Sequence, residues 1–460
     1  MSKNKQAPVT KNETLDVDVT DLTYEGMGVA KVDGGYPLFI EDALPGEQVT
    51  VKVIKVKKNF AFAKLLKVNQ ASPDRVAIVN KKLTQSGIAP LQHLSYDKQL
   101  EFKQHQIAEL FQKAHLDQVE VAPTIGMEHP VQYRNKAQIP VRELHGQLET
   151  GFYRRHSHDL IPIEDFYIQD PAIDDAIVKV RDVLREFQLP AYNETTHQGL
   201  IRNIMVRYGK YSHELMVVLV INDRHLPRAA EITEAIESAL PNLDSLVVNV
   251  NQSTGNRLLG DKSMVLAGKD YIMDQLLGTK FLISPLSFYQ VNPVQTEKLY
   301  SLAIEKAQLT KDDIVIDAYC GIGTISLAMA PQVKHVYGVD VVKEAIQDAR
   351  TNAKLNHIEN ATFVTGKAED QMQKWEVEGI KPNVIVVDPP RKGLDASFIE
   401  SALKMQPERL VYVSCNPATL VRDAQLLLDG GYTIDQPVQP VDQFPQTPHV
   451  ESVTVFTKTN

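Results

Sequence analysis

The feature that most constrains this chain's fold is the regular exchange of short apolar runs and helical stretches over its last third. Ile314-Val315-Ile316, Val333–Val339, Val384-Ile385-Val386-Val387 and Leu410-Val411-Tyr412-Val413 are β-branched runs a few residues long. Strands buried on both faces read this way. Between them, Ala345, Ile346, Ala349 and Ala353 recur at helical spacing, and Leu420–Leu428 ends at Gly430-Gly431. Strand and helix in alternation specify a parallel sheet covered on both sides, the doubly wound α/β arrangement.

The beginning of the chain follows another grammar. Leu15–Thr20 alternates with period two, Asp33-Gly34-Gly35 separates two short strands, Pro45-Gly46 marks a turn, and Val49–Val56 alternates again before Phe60–Leu66. Closely spaced short strands predict a small β-barrel. Its charge is segregated: Met1–Thr50 carries four lysines against nine acids, and Val51–Gln70 six lysines and no acid. With Gly26-Met27-Gly28-Val29-Ala30, Leu44-Pro45-Gly46-Glu47 and the lysine-rich strand after them, this segment resembles a TRAM domain, a small RNA-binding barrel. Phe60 and Phe62 are assigned here to the barrel interior. The stretch from about 75 to 280 mixes amphipathic helices, Asp97–Lys113 and Ala229–Leu240, with strands such as Leu215–Ile221 and Ser245–Val250. It reads as an α+β domain in which some of Arg134, Lys136, Arg142, Arg154, Arg155, Arg202 and Arg207 meet RNA. A chain of 460 residues has room for these three units. The expected boundaries are a barrel over 1–70, a central RNA-binding domain over 71–280 and a catalytic domain over 281–460.

Several classes are excluded. No apolar run approaches the ~18 residues of a membrane span, and no apolar stretch follows the charges of Met1–Gln6 to make a secretory signal. Two cysteines, Cys320 and Cys415, cannot build a disulfide framework or a four-cysteine metal site. A reduced, cytoplasmic protein without a metal, a membrane or an obligate protein partner is expected. The net charge of −9 argues against coating nucleic acid with the whole surface and leaves local basic patches open.

The chemistry concentrates at strand ends. Asp317-Ala318-Tyr319-Cys320-Gly321-Ile322-Gly323 ends the first buried strand, and its glycines admit a ligand close to the backbone. Asp340 ends the next strand, 17 residues beyond Gly323, and suits the hydroxyls of a ribose. Ser326 stands where a dinucleotide loop would carry a third glycine. The Asp-x-x-x-Gly-x-Gly form resembles the S-adenosylmethionine loop of class I methyltransferases. Asp388-Pro389-Pro390-Arg391 ends the third run and places Asp388 in the cleft. Arg391 fills the slot in which amino-group methylases carry an aromatic. Cys415, in Ser414-Cys415-Asn416-Pro417, ends a strand just before a helix, where the helix dipole should favour the thiolate. Cys320 reads as small packing filler. Glu451 opens the final alternating strand, with His449 two residues before it, and a carboxylate there suits a general base.

Together with Ser287-Phe288-Tyr289-Gln290-Val291-Asn292 and His449-Val450-Glu451, these motifs resemble the cysteine-nucleophile RNA uracil-5-methyltransferases over nearly the full chain. The resemblance implies S-adenosylmethionine as cofactor, held by Gln290, Tyr319, Gly321, Gly323, Asp340 and Asp388. It implies Asp388, Gln290 and Arg391 at the uracil, Cys415 as nucleophile and Glu451 as base. The TRAM-like start points to the ribosomal branch, with 23S ribosomal RNA as substrate. Transfer RNA, an RNA cytosine-5-methyltransferase and a non-catalytic ribosome-assembly protein are the alternatives. Many ribosomal members hold an iron–sulfur cluster, but the Cys-Gly-Gly-Cys pattern is here Ser86-Gly87-Ile88-Ala89. The other two ligand slots fall near Asn80 and at Phe166, so no cluster is expected and packing must hold the loop.

Overall fold

A computed structural model describes residues 7–459. The charged start read above for a secretory signal lies outside the described residues. The strands Thr14–Leu22, Gly28–Val32, Tyr36–Glu41, Ala61–Gln70 and Gln48–Val56 close, in that spatial order, into a barrel. Its interior is filled by small and β-branched side chains, among them Val19, Ala30, Ile40, Val51 and Ala63. Gly28 is required where the chain crosses the loop after Glu41, because a Cβ would sit 2.8 Å from the Ala43 carbonyl.

Phe60 and Phe62 do not enter this interior, contrary to the sequence expectation. Ala61 and Ala63 take the inward positions, and the two rings gather with Phe39 at centroid distances of 5.5 to 5.8 Å, half-buried on the outer wall. A five-stranded barrel core has little volume for phenylalanine, and the strand's alternation puts the alanines inside.

Arg75 ties the barrel to the chain that follows. Its guanidinium forks onto the buried Glu47 carboxylate at 2.5 and 2.8 Å. The loop from Asn80 to Leu94 is held by packing and by two buried amides, that of Gln92 within it and that of Gln99, which donates to the Leu91 and Leu94 carbonyls. Leu83, Ala89 and Phe166 share an apolar cluster, and Gln92 accepts the Val79 and Asn80 N–H groups while donating to the Asn80 carbonyl at 2.8 Å.

The central sheet has seven strands, with Ile201–Tyr208 flanked by Lys136–Leu144 and Leu215–Ile221. Helices Pro171–Glu186 and Ala229–Ala239 pack on one face. Met205, Met216, Val218 and Val247 on the other face join the core of the C-terminal part. That part has an eight-stranded sheet. Ala361–Thr365, His335–Asp340, Ile314–Ala318, Val384–Val387 and Arg409–Ser414 run parallel in this spatial order, and Glu451–Lys458 follows antiparallel. The order reverses between Ile314–Ala318 and Val384–Val387, the place where such sheets open a ligand crevice. The fold class expected from the sequence, a small barrel, an α+β middle and a doubly wound methyltransferase unit, is the one observed.

The helix Tyr96–Lys113 buries Gln99, Lys103, Ile107 and Phe111, one residue per turn along one stripe. Ile107 and Phe111 enter the core of the C-terminal sheet beside Tyr412 and Phe456. Lys103, fully buried, pairs with the fully buried Asp442, which also accepts from the Tyr96 hydroxyl at 2.7 Å. Breaking a buried pair on one side strands the other charge and typically costs about 3–5 kcal/mol. Lys103→Met should therefore lower unfolding free energy in urea by roughly that amount, and adding Asp442→Asn should restore part of it. Additive losses in the double variant would show that the two groups do not interact.

Candidate active site

Three strand ends form the crevice. Asp388 follows Val384–Val387, Cys415 follows Arg409–Ser414, and Glu451 opens Glu451–Lys458. Ser414 is directly opposite Ser452 in the antiparallel register, so Cys415 and Glu451 leave neighbouring strands at the same edge. The Asp388–Arg391 turn is pinned beside them. The Arg391 carbonyl accepts from Asn416 Nδ2 at 2.8 Å, and the Cys415 thiol approaches the Pro389 carbonyl at 3.9 Å. Asn416 also caps the helix Pro417–Asp429.

Glu451 is 7% exposed. No hydrogen bond or ion pair reaches its carboxylate among the described residues, and burial beside Asp388 holds its pKa well above the usual carboxylate range. Asp388 is pushed up to about 6 by burial, against the hydrogen bond from the Tyr300 hydroxyl at 3.2 Å. Cys415 is pushed up to about 12, first by burial and then by Glu451 and Asp388, with Arg391 alone among the neighbouring charges acting the other way. This corrects the expectation of a thiolate favoured by the helix. Cys415 stands one residue outside the Asn416 cap, and burial, together with the carboxylates on adjacent strand ends, outweighs the dipole.

Gln290 lies across the crevice and belongs to a relay the sequence did not reveal. Its Nε2 donates to the Tyr300 hydroxyl at 3.0 Å, and that hydroxyl donates to Asp388. Tyr300 is buried on the helix Pro293–Ala307, and its spacing with Leu299 and Ala303 reads as ordinary core. Asn135, just before the strand Lys136–Leu144, donates to the Gln290 carbonyl at 3.1 Å.

The glycine loop has the form a nucleoside-bearing cofactor needs. Gly321 (φ +55°) and Gly323 (φ +85°) use left-handed backbone, and a Cβ on Gly321 would meet nothing within 4 Å. Asp340 accepts the Gly321 and Val342 N–H groups at 3.1 and 2.8 Å, which sets its carboxylate at the loop's edge. Val341, next to it, is 66% exposed, an apolar surface at the same edge that the sequence reading passed over. Asp317 is buried below the loop, receives the Ser326 hydroxyl on one oxygen and leaves the other without a partner. The residues present therefore fit S-adenosylmethionine: an open glycine turn, an acid for the ribose and an apolar edge for the base. Tyr319 stands apart. Its own backbone is left-handed (φ +69°) and its ring rests on Phe398 at 6.1 Å. Cys320 is buried in the core, and His449 is exposed, edge-on to Phe444.

Residues 95–459 match the family model described as tRNA (uracil-5-)-methyltransferase. The chain belongs to this family. Residues 8–66 match the TRAM domain. An uncharacterized RNA methyltransferase of Lactiplantibacillus plantarum is 63% identical over 98% of both chains, and another of Enterococcus faecalis is 52% identical over 99% of both. Among solved structures, the Pyrococcus abyssi tRNA (uracil-54, C5)-methyltransferase in complex with S-adenosyl-L-homocysteine is similar at 27% identity and a TM-score of 0.77, over 96% of this chain and 99% of that one. The protein is thus an S-adenosylmethionine-dependent RNA (uracil-5-)-methyltransferase with a TRAM barrel. Among the described residues, no helix is long and apolar enough to cross a membrane.

The charges around Cys415 set the sign of a direct test. Glu451→Gln removes a group that raises the thiol pKa and should speed iodoacetamide alkylation of Cys415 at pH 8. Arg391→Gln removes the one that lowers it and should slow the reaction. Mass spectrometry of the labelled peptide reads both, with buried Cys320 as internal control.

Proposed function

We propose that this enzyme methylates carbon 5 of a uridine in 23S ribosomal RNA through a covalent cysteine–uracil intermediate, acting in the reducing cytoplasm. The observation that carries the reading is the buried, unpartnered Glu451 carboxylate on the strand beside Cys415. A fold does not keep such a group for stability, since an unpaired buried carboxyl is destabilising. The units proposed for the work are the barrel to residue 70, the central part over 71–280 and the catalytic part from 281.

Carbon 5 of uracil is a weak nucleophile. Cys415 gives up its proton to solvent and adds through sulfur to carbon 6, so the ring becomes an enolate with electron density on carbon 5. The bound cofactor supplies an electrophilic methyl group on a cationic sulfur, which carbon 5 accepts. Glu451 then takes the proton from carbon 5, the double bond re-forms, and the carbon–sulfur bond to Cys415 breaks. Asp388 and Gln290 orient the uracil edge, and Tyr300 fixes both. Gly321, Gly323 and Asp340 hold the cofactor, with Tyr319 shaping the loop. The high thiol pKa fits this order: Cys415 stays inert until Arg391 and a bound substrate favour the charged form. A target in a duplex must first leave its stack, at a cost of a few kcal/mol, roughly.

The outer wall of the barrel supports an RNA target larger than a single nucleotide. Phe39, Phe60 and Phe62 offer ring faces, and Lys55, Lys57, Lys58 and Lys64 are exposed on the strands Gln48–Val56 and Ala61–Gln70 or the turn between them. The likeness to the Pyrococcus abyssi enzyme supports a second reading, transfer RNA. Cys415→Ala should abolish 5-methyluridine formation while S-adenosylhomocysteine still binds by calorimetry, and methylation by that variant would refute the mechanism. Glu451→Gln should accumulate an RNA–protein adduct stable on a denaturing gel. Nuclease digestion and mass spectrometry of ribosomal and transfer RNA from a deletion strain identify which has lost 5-methyluridine.

A further inference from the structure

Among the described residues, no carboxylate pairs with three cations at the junction of the central sheet and the catalytic part, Arg134, Lys136 and Arg207. Lys136 and Arg207 stand directly opposite each other on antiparallel strands. They share the face on which Met205 and Met216 pack into the catalytic core, and Arg134 lies two residues before Lys136. Like charges facing each other across a strand pair are destabilising. No acid offsets them: burial and the two arginines lower the Lys136 pKa to about 7, and burial lowers those of Arg134 and Arg207.

The hydrogen-bonding capacity left over here is largely of the donating kind. Arg207 is 3% exposed, and its Nη2 donates to the carbonyls of Pro285, at 3.3 Å, and of Ser287, yet its Nε has no acceptor. Gln138 Nε2, two residues along from Lys136, is a second buried donor without a partner. A site of this kind is complementary to a group that carries negative charge and only accepts hydrogen bonds.

Its position indicates which anion. Arg207 holds the Ser287 carbonyl. Phe288, the next residue, is 69% exposed, and Gln290 two further on belongs to the relay through Tyr300 to Asp388. We propose that Arg134, Lys136 and Arg207 bind a backbone phosphate of the RNA immediately beside the uridine that enters the crevice. This rests on the uridine methylation reading for the occupant of the crevice, and its test uses binding without turnover.

Lys136→Gln is the informative variant, because removing one of three like charges does not weaken the fold. With a 23S ribosomal RNA transcript as probe, filter binding from 50 to 200 mM salt should show affinity lowered about tenfold at 100 mM. The slope of log K against log salt should be shallower by roughly 1. Lys136→Arg should restore both, the S-adenosylhomocysteine affinity should not change, and the thermal midpoint should hold or rise. Unchanged RNA affinity and salt slope would overturn the proposal. Weakened S-adenosylhomocysteine binding would overturn it too, by assigning the cations to the cofactor's carboxylate, and a fallen thermal midpoint would assign them a structural role. Cys415→Ala should bind the transcript as the wild type does, so a failure of the covalent mechanism leaves a separate signature.

Discussion

The catalytic crevice depends on a charge pair buried outside it. Lys103, on a helix between the barrel and the central sheet, reaches Asp442 and the Phe444 carbonyl. The segment after Asp442 is held almost atom by atom: Asn292 donates to the Gln443 carbonyl at 3.0 Å, Tyr133 to that of Pro445 at 3.0 Å, and Gln99 exchanges hydrogen bonds with Gln446. That segment delivers Glu451. Two ions stripped of water gain little net stability from each other. What the pair does here is fix one register for a stretch without helix or sheet of its own, so that an acid arrives at the strand edge where a thiol ends the neighbouring strand.

The crevice is built from groups that oppose one another. Burial raises the pKa of Asp388, Glu451 and the thiol alike, and a single exposed arginine counterbalances them. Tyr300 carries the coupling. One hydroxyl touches both the Gln290 amide and the Asp388 carboxylate, so neither can rotate alone.

Legibility in the sequence followed the physics of each signal. Buried parallel strands are written as unbroken β-branched runs, and the residues that end them fall at a fixed edge of the sheet. Asp340, Asp388 and Cys415 could therefore be located without coordinates. Periodicity does not say which side of a small barrel is full, and Phe60 and Phe62 were misplaced because apolar character alone suggested the interior. Lys103 occupies a core stripe that only its partner, more than 300 residues away, makes tolerable. Tyr300 looks like core from its spacing, and its role appears only when Gln290 and Asp388 converge on its hydroxyl. The Cys415 environment was read from one helix end, whereas it is set by burial and by acids that come from two other strands.

The antiparallel strand Glu451–Lys458 pairs directly with Arg409–Ser414 but follows every other sheet strand in chain order. The acid beside Cys415 is therefore made after every parallel strand of the sheet that holds it. The thiol and the acid, neighbours in space, thus come together only once Glu451–Lys458 has paired, so the crevice is completed by the docking of one strand.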